Sequence, residues 1–295
     1  MFKKIAILCV ILLFTAIFST EAHSMKASKE ENKKAILLVT FGTSIPEAQK
    51  AFDNIDAMAK KAFPDIPIRW AYTSKTIRAK LAKQGKQLDS PELALAKLME
   101  EGYTHVAVLS LHVIPGEEFH TLNHNASLFA LMDGGFKNIV VGQPLLSSYD
   151  DLERTADIML KTLPQTRKPQ DAVLFMGHGS GKHPADSIYV AMNAILNKKD
   201  SYAYLATVDG HPTLDDIIPE LTAKKVKKVF LVPFMTVAGD HARNDMAGDS
   251  PESWKSILNS KGFSCEPILK GMAEYPEIVN IWLDHLKEAL ERLEK

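Results

Sequence analysis

Two histidines stand at the ends of apolar runs. His178 lies in the run Asp171 to Gly179, and His241 directly follows the run Lys228 to Asp240. In open α/β sheets ligands collect at the carboxyl ends of parallel strands, so both imidazoles are expected at one site. Imidazole binds divalent metals and moves protons near neutral pH, which defines the chemistry available there. Glu118, after Ile114-Pro115-Gly116-Glu117, occupies the matching turn of an earlier segment. Two histidines and one carboxylate suit Zn, Fe, Co or Ni with positions left open for a substrate. Taken alone, Glu118 is equally an ordinary first-turn acid favoured by a helix dipole.

Gly177 and Gly179 bracket His178, letting the backbone turn sharply and leaving the ring accessible. Other strand ends carry hydroxyls and charges suited to an acidic ligand: Thr43, Ser44, Ser180, Asp209 and His211 as substrate-binding candidates, with Thr73, Ser74, Lys75, Arg78 and Lys182 beside them. His120 and His124 are four apart on one helix, with Glu117 three residues before His120. That pair offers a second metal site or a haem axial ligand at a subunit interface; a solvated helix face is the plainer reading. His112 fits a cleft floor or a satisfied core position, and His105 and His285 read as structural. Neither GxxxxGK[ST] nor a GxGxxG after the first strand is present, so nucleotide chemistry lacks its marker. Gly177-His178-Gly179-Ser180-Gly181 does not centre a serine in GxSxG, which disfavours a serine hydrolase.

Short β-branched runs alternate with amphipathic patterns from Lys34 onward, the signature of βαβ units. Strands are expected near 35–41, 66–72, 105–112, 138–142, 171–177, 202–208, 228–235 and 264–270. Helices are expected over 46–62, 91–102, 117–132, 150–162, 185–197, 214–224 and 276–293. The fold class is α/β: two similar domains, each a parallel sheet flanked by helices, with a cleft between them. A weak internal repeat supports this. KAILLVTFGTS from Lys34 aligns with DAVLFMGHGS from Asp171, setting Phe41 opposite His178. HVAVLSLHVIPGEEFH from His105 aligns with the segment from Lys228, setting Gly116 opposite Gly239 and Glu118 opposite His241. A third pairing sets Tyr149 opposite Tyr275. The halves are expected at 34–150 and 151–275, with the last helix, 276–295, packing back on the first half.

The 295 residues, 46% hydrophobic and 24% charged, have the make-up of a folded globular chain with room for two domains. The start differs. Lys3 and Lys4 precede the apolar stretch Ile5 to Phe18, and Ala22-His23-Ser24 supplies small residues at a cleavage site, so 1–24 reads as a secretory signal and 25–33 as a flexible lead. The apolar stretch is too short for an ordinary membrane span, leaving no stable span once the signal is removed. Taking Lys3, Lys4 and Glu21 from 35 basic and 36 acidic residues leaves 33 and 35, a formal charge of −2 that argues against a nucleic-acid partner. Cys9 leaves with the signal, so Cys265 has no disulfide partner and any metal must be held by His, carboxylate or water.

TFGTS (40–44), SLHVIPGEEF (110–119), MGHGS (176–180), ATVDGHP (206–212) and the stretch from Pro233 to Asp249 together resemble the anaerobic cobalt chelatase of cobalamin biosynthesis. That family, the CbiK-type sirohydrochlorin cobaltochelatases, shares a two-domain chelatase fold with the ferrochelatases. The resemblance implies insertion of Co²⁺, or alternatively Fe²⁺, into sirohydrochlorin without ATP. It implies metal binding by His178, His241 and Glu118, with a histidine, His178 preferred, accepting pyrrole protons. Asp209 and His211 stand where the family usually has Glu and Tyr. With the leader, the expectation is a periplasmic homo-oligomer. The competing reading is an exported metal- or haem-binding protein of the same fold that does not turn over.

Overall fold

The computed structural model describes residues 32–181 and 183–295. The leader expected over 1–24, most of the lead over 25–33 and Lys182 lie outside the described residues. The first half comprises β1 (Lys34–Thr40), α1 (Gln49–Ala62), β2 (Ile68–Tyr72), α2 (Lys75–Ala82), α3 (Pro91–Glu100), β3 (His105–Ser110), α4 (Glu117–Ala130) and β4 (Asn138–Gly142). After α5 (Tyr149–Lys161) come β5 (Ala172–Gly177), α6 (Asp186–Lys199), β6 (Ala203–Thr207), α7 (Leu214–Ala223), β7 (Lys228–Pro233), α8 (Trp254–Ser260), β8 (Ser264–Pro267) and α9 (Pro276–Leu293). All eight expected strands are present. Helix α2 and helix α8 had no counterpart in the sequence expectation, and the helical turn expected from Ala242 is a short π-helical one, Ala242–Met246.

The strands form two parallel four-stranded sheets of identical order, β2-β1-β3-β4 and β6-β5-β7-β8. Helices cover both faces, so the central strands are buried throughout; β3 and β5 expose no residue along their length. That double burial is why these strands read as unbroken apolar runs. Register relates the halves residue by residue. Val39 pairs with Ser110 and Thr40 with Tyr72 in the first sheet, as Met176 pairs with Pro233 and Gly177 with Thr207 in the second. Thr40 therefore corresponds to Gly177, and the residues that follow, Phe41 and His178, correspond to each other.

One apolar cluster includes Ile36 and Leu109 of the first sheet, Phe175 and Phe230 of the second, and Trp282 of α9. Helix α9 packs on β3, β4 and α1, and the fully buried Trp282 donates from Nε1 to the His112 carbonyl at 3.4 Å. Burial pushes the partly buried Cys265 thiol up to about 11, which keeps it protonated and unreactive at ordinary pH. No helix among the described residues is long and apolar enough to cross a membrane.

The join between α5 and α9 carries a pH-sensitive contact. His285 Nε2 lies 3.3 Å from Asp151 Oδ1, and both side chains are largely buried. Burial alone would raise the Asp151 pKa, but hydrogen bonds from His285, Ser148 and Ser147 together with the His285 charge hold it at about 2. Burial likewise acts to lower His285, and the Asp151 hydrogen bond and charge outweigh it, leaving its pKa raised. The Asp151 contribution is complete above the ordinary aspartate value and is lost as pH falls towards 2. The His285 contribution is complete below the ordinary histidine value and is lost as pH rises through the elevated one. Both are therefore in force in weak acid. Asp151→Asn is expected to cost about 1–2 kcal/mol near pH 5 and progressively less towards pH 2. Denaturant melts across that range test this; a deficit independent of pH would show that the ion pair is not the source.

Candidate active site

The carboxyl ends of β5 and β6 are laced together. Asp209 N–H donates to the His178 carbonyl and Gly181 N–H to the Asp209 carbonyl, each at 2.8 Å. Gly179 has φ +87°, and a Cβ there would collide with the Asp209 carbonyl oxygen, so this crossing demands glycine. Below the turn, Asp186 opens α6 and is buried. Its carboxylate accepts from Ser180 N–H and Ser180 Oγ at 2.8 Å each and from His211 N–H at 3.1 Å. Gly210 is also obligatory here, because a Cβ would enter the Asp186 carboxylate.

These turns leave His178 exposed at the strand end, where its ring meets that of His241 with centroids 4.8 Å apart and planes at 84°. The polar contacts assign both tautomers. His178 Nδ1 lies 3.0 Å from the Gly179 carbonyl, which can only accept, so Nδ1 carries the proton. His241 Nδ1 lies 2.5 Å from Asp245 Oδ2, four residues on across the π-helical turn. A π turn at this point brings the carboxylate beneath the ring, and such turns recur at functional sites. Both Nε2 lone pairs are left for an ion, the arrangement in which an outer hydrogen bond fixes a metal-binding imidazole.

The halves meet around this pair. Thr236 Oγ1 donates to the Leu111 carbonyl at 2.7 Å; a Cβ on Gly239 would lie 3.4 Å from Thr43 Oγ1, and one on Gly116 3.9 Å from the Ser180 Cβ. Glu118 sits in the first turn of α4, 48% exposed, with Oε2 3.9 Å from His112 Nε2. Burial lowers the His112 pKa to about 4, so the ring is neutral at ordinary pH and does not meet Glu118 as an ion pair. Its Nδ1 is 2.8 Å from Ser110 Oγ, and its Nε2 has no hydrogen-bond partner. Among the described residues no group of three His, Cys, Asp or Glu side chains that could hold a metal ion is gathered. His178 and His241 meet each other, while Glu118 lies on the other half against His112.

Of the other expected residues, Thr43 is buried, with Oγ1 accepting from Ile45 N–H at 3.1 Å, and Ser44 is half-buried. Ser180, Asp209 and His211 lie on the turns braced by Asp186. His120 and His124 are exposed on α4, and the His120 ring is 5.5 Å from that of His183. His183, Asp186 and Asp245 went unread in the sequence. The i, i+4 spacing of His241 and Asp245 was the one available signal.

Comparison with known proteins places the chain. The family model described as cobalt chelatase, CbiK, matches residues 34–291. The chain belongs to the CbiK cobalt chelatase family. It is 45% identical over 262 residues to the sirohydrochlorin cobaltochelatase CbiKC of Nitratidesulfovibrio vulgaris, covering 89% of this chain and 92% of that one. It is 35% identical over 260 residues to the sirohydrochlorin cobaltochelatase of Salmonella typhimurium, covering 88% and 97%. The fold matches that of the sirohydrochlorin chelatase SirB from Bacillus subtilis subspecies spizizenii, solved in complex with cobalt, with a TM-score of 0.58, 16% identity and coverage of 89% and 97%.

Proposed function

We propose that this protein inserts Co²⁺ into sirohydrochlorin, and the observation that carries the reading is the meeting of the His178 and His241 rings, with Nδ1 contacts that leave both Nε2 atoms for an ion. The relatives named for the same reaction support the choice of ion and macrocycle. His178 and His241 receive the hydrated ion, and Glu118, a half-exposed carboxylate on the other half, draws it from solvent. The macrocycle gives up two N–H protons for each ion taken up. Release of the ion frees one Nε2 lone pair on each histidine, so each ring can take one of those protons, and we assign the first to His178, exposed at its strand end. His211 would engage a peripheral carboxylate through its imidazole, while Ser180 and Asp209, whose hydroxyl and N–H are already given to Asp186 and to the His178 carbonyl, would shape the turns that receive the macrocycle. Imidazole and carboxylate donors also accept Fe²⁺, so iron is the ion to test against cobalt.

We also propose that the chain acts outside the cytoplasm, on the strength of the amino-terminal leader pattern. One experiment addresses both points. Protein released by osmotic shock is sequenced from its amino terminus, with Met25 expected first, and is then given sirohydrochlorin anaerobically with Co²⁺ or Fe²⁺. Many equivalents metallated per chain are expected, faster with Co²⁺. Stoichiometric uptake without turnover would replace catalysis with binding, and retention in the cytoplasmic fraction would reject export.

A further inference from the structure

We infer that Phe41 is a stacking platform for the tetrapyrrole plane, a substrate-binding role that rests on the proposed reaction. Strand register makes Phe41 the counterpart of His178: each directly follows paired residues, Thr40–Tyr72 and Gly177–Thr207, at the carboxyl end of its strand. The second half thus carries His178 and His241 at its strand ends, and the first half carries Phe41 and Glu118 at the corresponding positions. One half carries two metal donors; the other carries a carboxylate and an apolar ring.

Phe41 is 49% exposed and belongs to none of the three apolar clusters of the described residues. Its backbone is nevertheless fixed. Thr73 N–H donates to the Thr40 carbonyl at 2.9 Å and Ser74 N–H to the Phe41 carbonyl at 3.2 Å, and Gly42 that follows is packed against Tyr72 and Ile77. Thr43, two residues on, approaches Gly239, which lies two residues before His241. The ring therefore stands half exposed on a rigid strand end close to the seam. A flat conjugated macrocycle suits such a ring, since stacked aromatic surfaces gain beyond simple apolar burial. Placing the ring on the half facing the histidines would let it press on the plane while the ion enters from the other side.

The test titrates metal-free sirohydrochlorin into wild type, Phe41→Ala and Phe41→Trp, following visible absorption, with Co²⁺ affinity and melting temperature measured on the same samples. Phe41→Ala is expected to weaken macrocycle binding about tenfold, leaving Co²⁺ affinity and melting unchanged. Phe41→Trp is expected to restore binding, with indole fluorescence quenched by the bound pigment. Equal affinity of wild type and Phe41→Ala would overturn the stacking role and leave the proposed reaction intact. A wild type that binds no sirohydrochlorin would overturn both.

Discussion

His178→Ala is expected to lower cobalt insertion by about a thousandfold while leaving the circular dichroism spectrum and unfolding midpoint close to wild type. His241→Ala is expected to do the same. The rings are on exposed or half-exposed turns and meet each other rather than the core, so truncation opens no buried cavity. Each change removes one of the two free Nε2 lone pairs, and with it a site that can hold the ion or take a pyrrole proton. The effects should not add: once one donor is gone the other cannot position the ion, so the double variant should resemble either single one. Asp245→Ala should fall between, because His241 remains but its Nδ1 loses the carboxylate that orients the ring. Initial rates of anaerobic insertion, with melting curves on the same preparations, decide the matter. Wild-type rates in either histidine variant would remove that residue from the mechanism.

What could be read in the chain follows from which contacts are local. The central strands sit between helices on both faces, so their apolar runs are unbroken and end where the turn begins, which exposes His178 as an anomaly in sequence. The duplication was legible for the same reason, since equal strand order preserves the spacing from strand end to turn, from Ser110 to Glu118 and from Pro233 to His241. Asp186 was illegible because its contacts with Ser180 and His211 depend on two loops closing over a helix start. The His120–His183 approach joins different halves, a distance no linear pattern encodes. Helix α2 escaped notice because Lys75, Arg78 and Lys80 give it little apolar face, and only Leu81 is buried. The meeting of His178 with His241 was an inference from strand ends, and the contact of Glu118 with His112 was not anticipated.

Asp186→Ala is expected to be the most damaging single change that touches no ion. Its carboxylate is the common acceptor for Ser180 N–H, Ser180 Oγ and His211 N–H, so it ties the turn after β5 to the turn after β6 from below. Hydrogen bonds to a charged acceptor are the stronger class, and removing the acceptor leaves buried donors unpaired as well. Its place in the first turn of α6 adds a favourable interaction with the helix dipole. A loss of about 3 kcal/mol in stability is the reasonable scale, together with a fall in insertion rate of about a hundredfold as His178 loses its rigid base. Asp186→Asn keeps one acceptor oxygen and should retain part of both. The functional loss can be separated from unfolding by assaying well below the melting temperature of the variant, where the chain remains folded. There the macrocycle affinity should fall along with the rate, because Ser180 and His211 lie on the turns that Asp186 braces. If Asp186→Ala melts and turns over like wild type, the two turns are held by their backbone lacing between His178, Gly181 and Asp209 alone, and the carboxylate is incidental to the site.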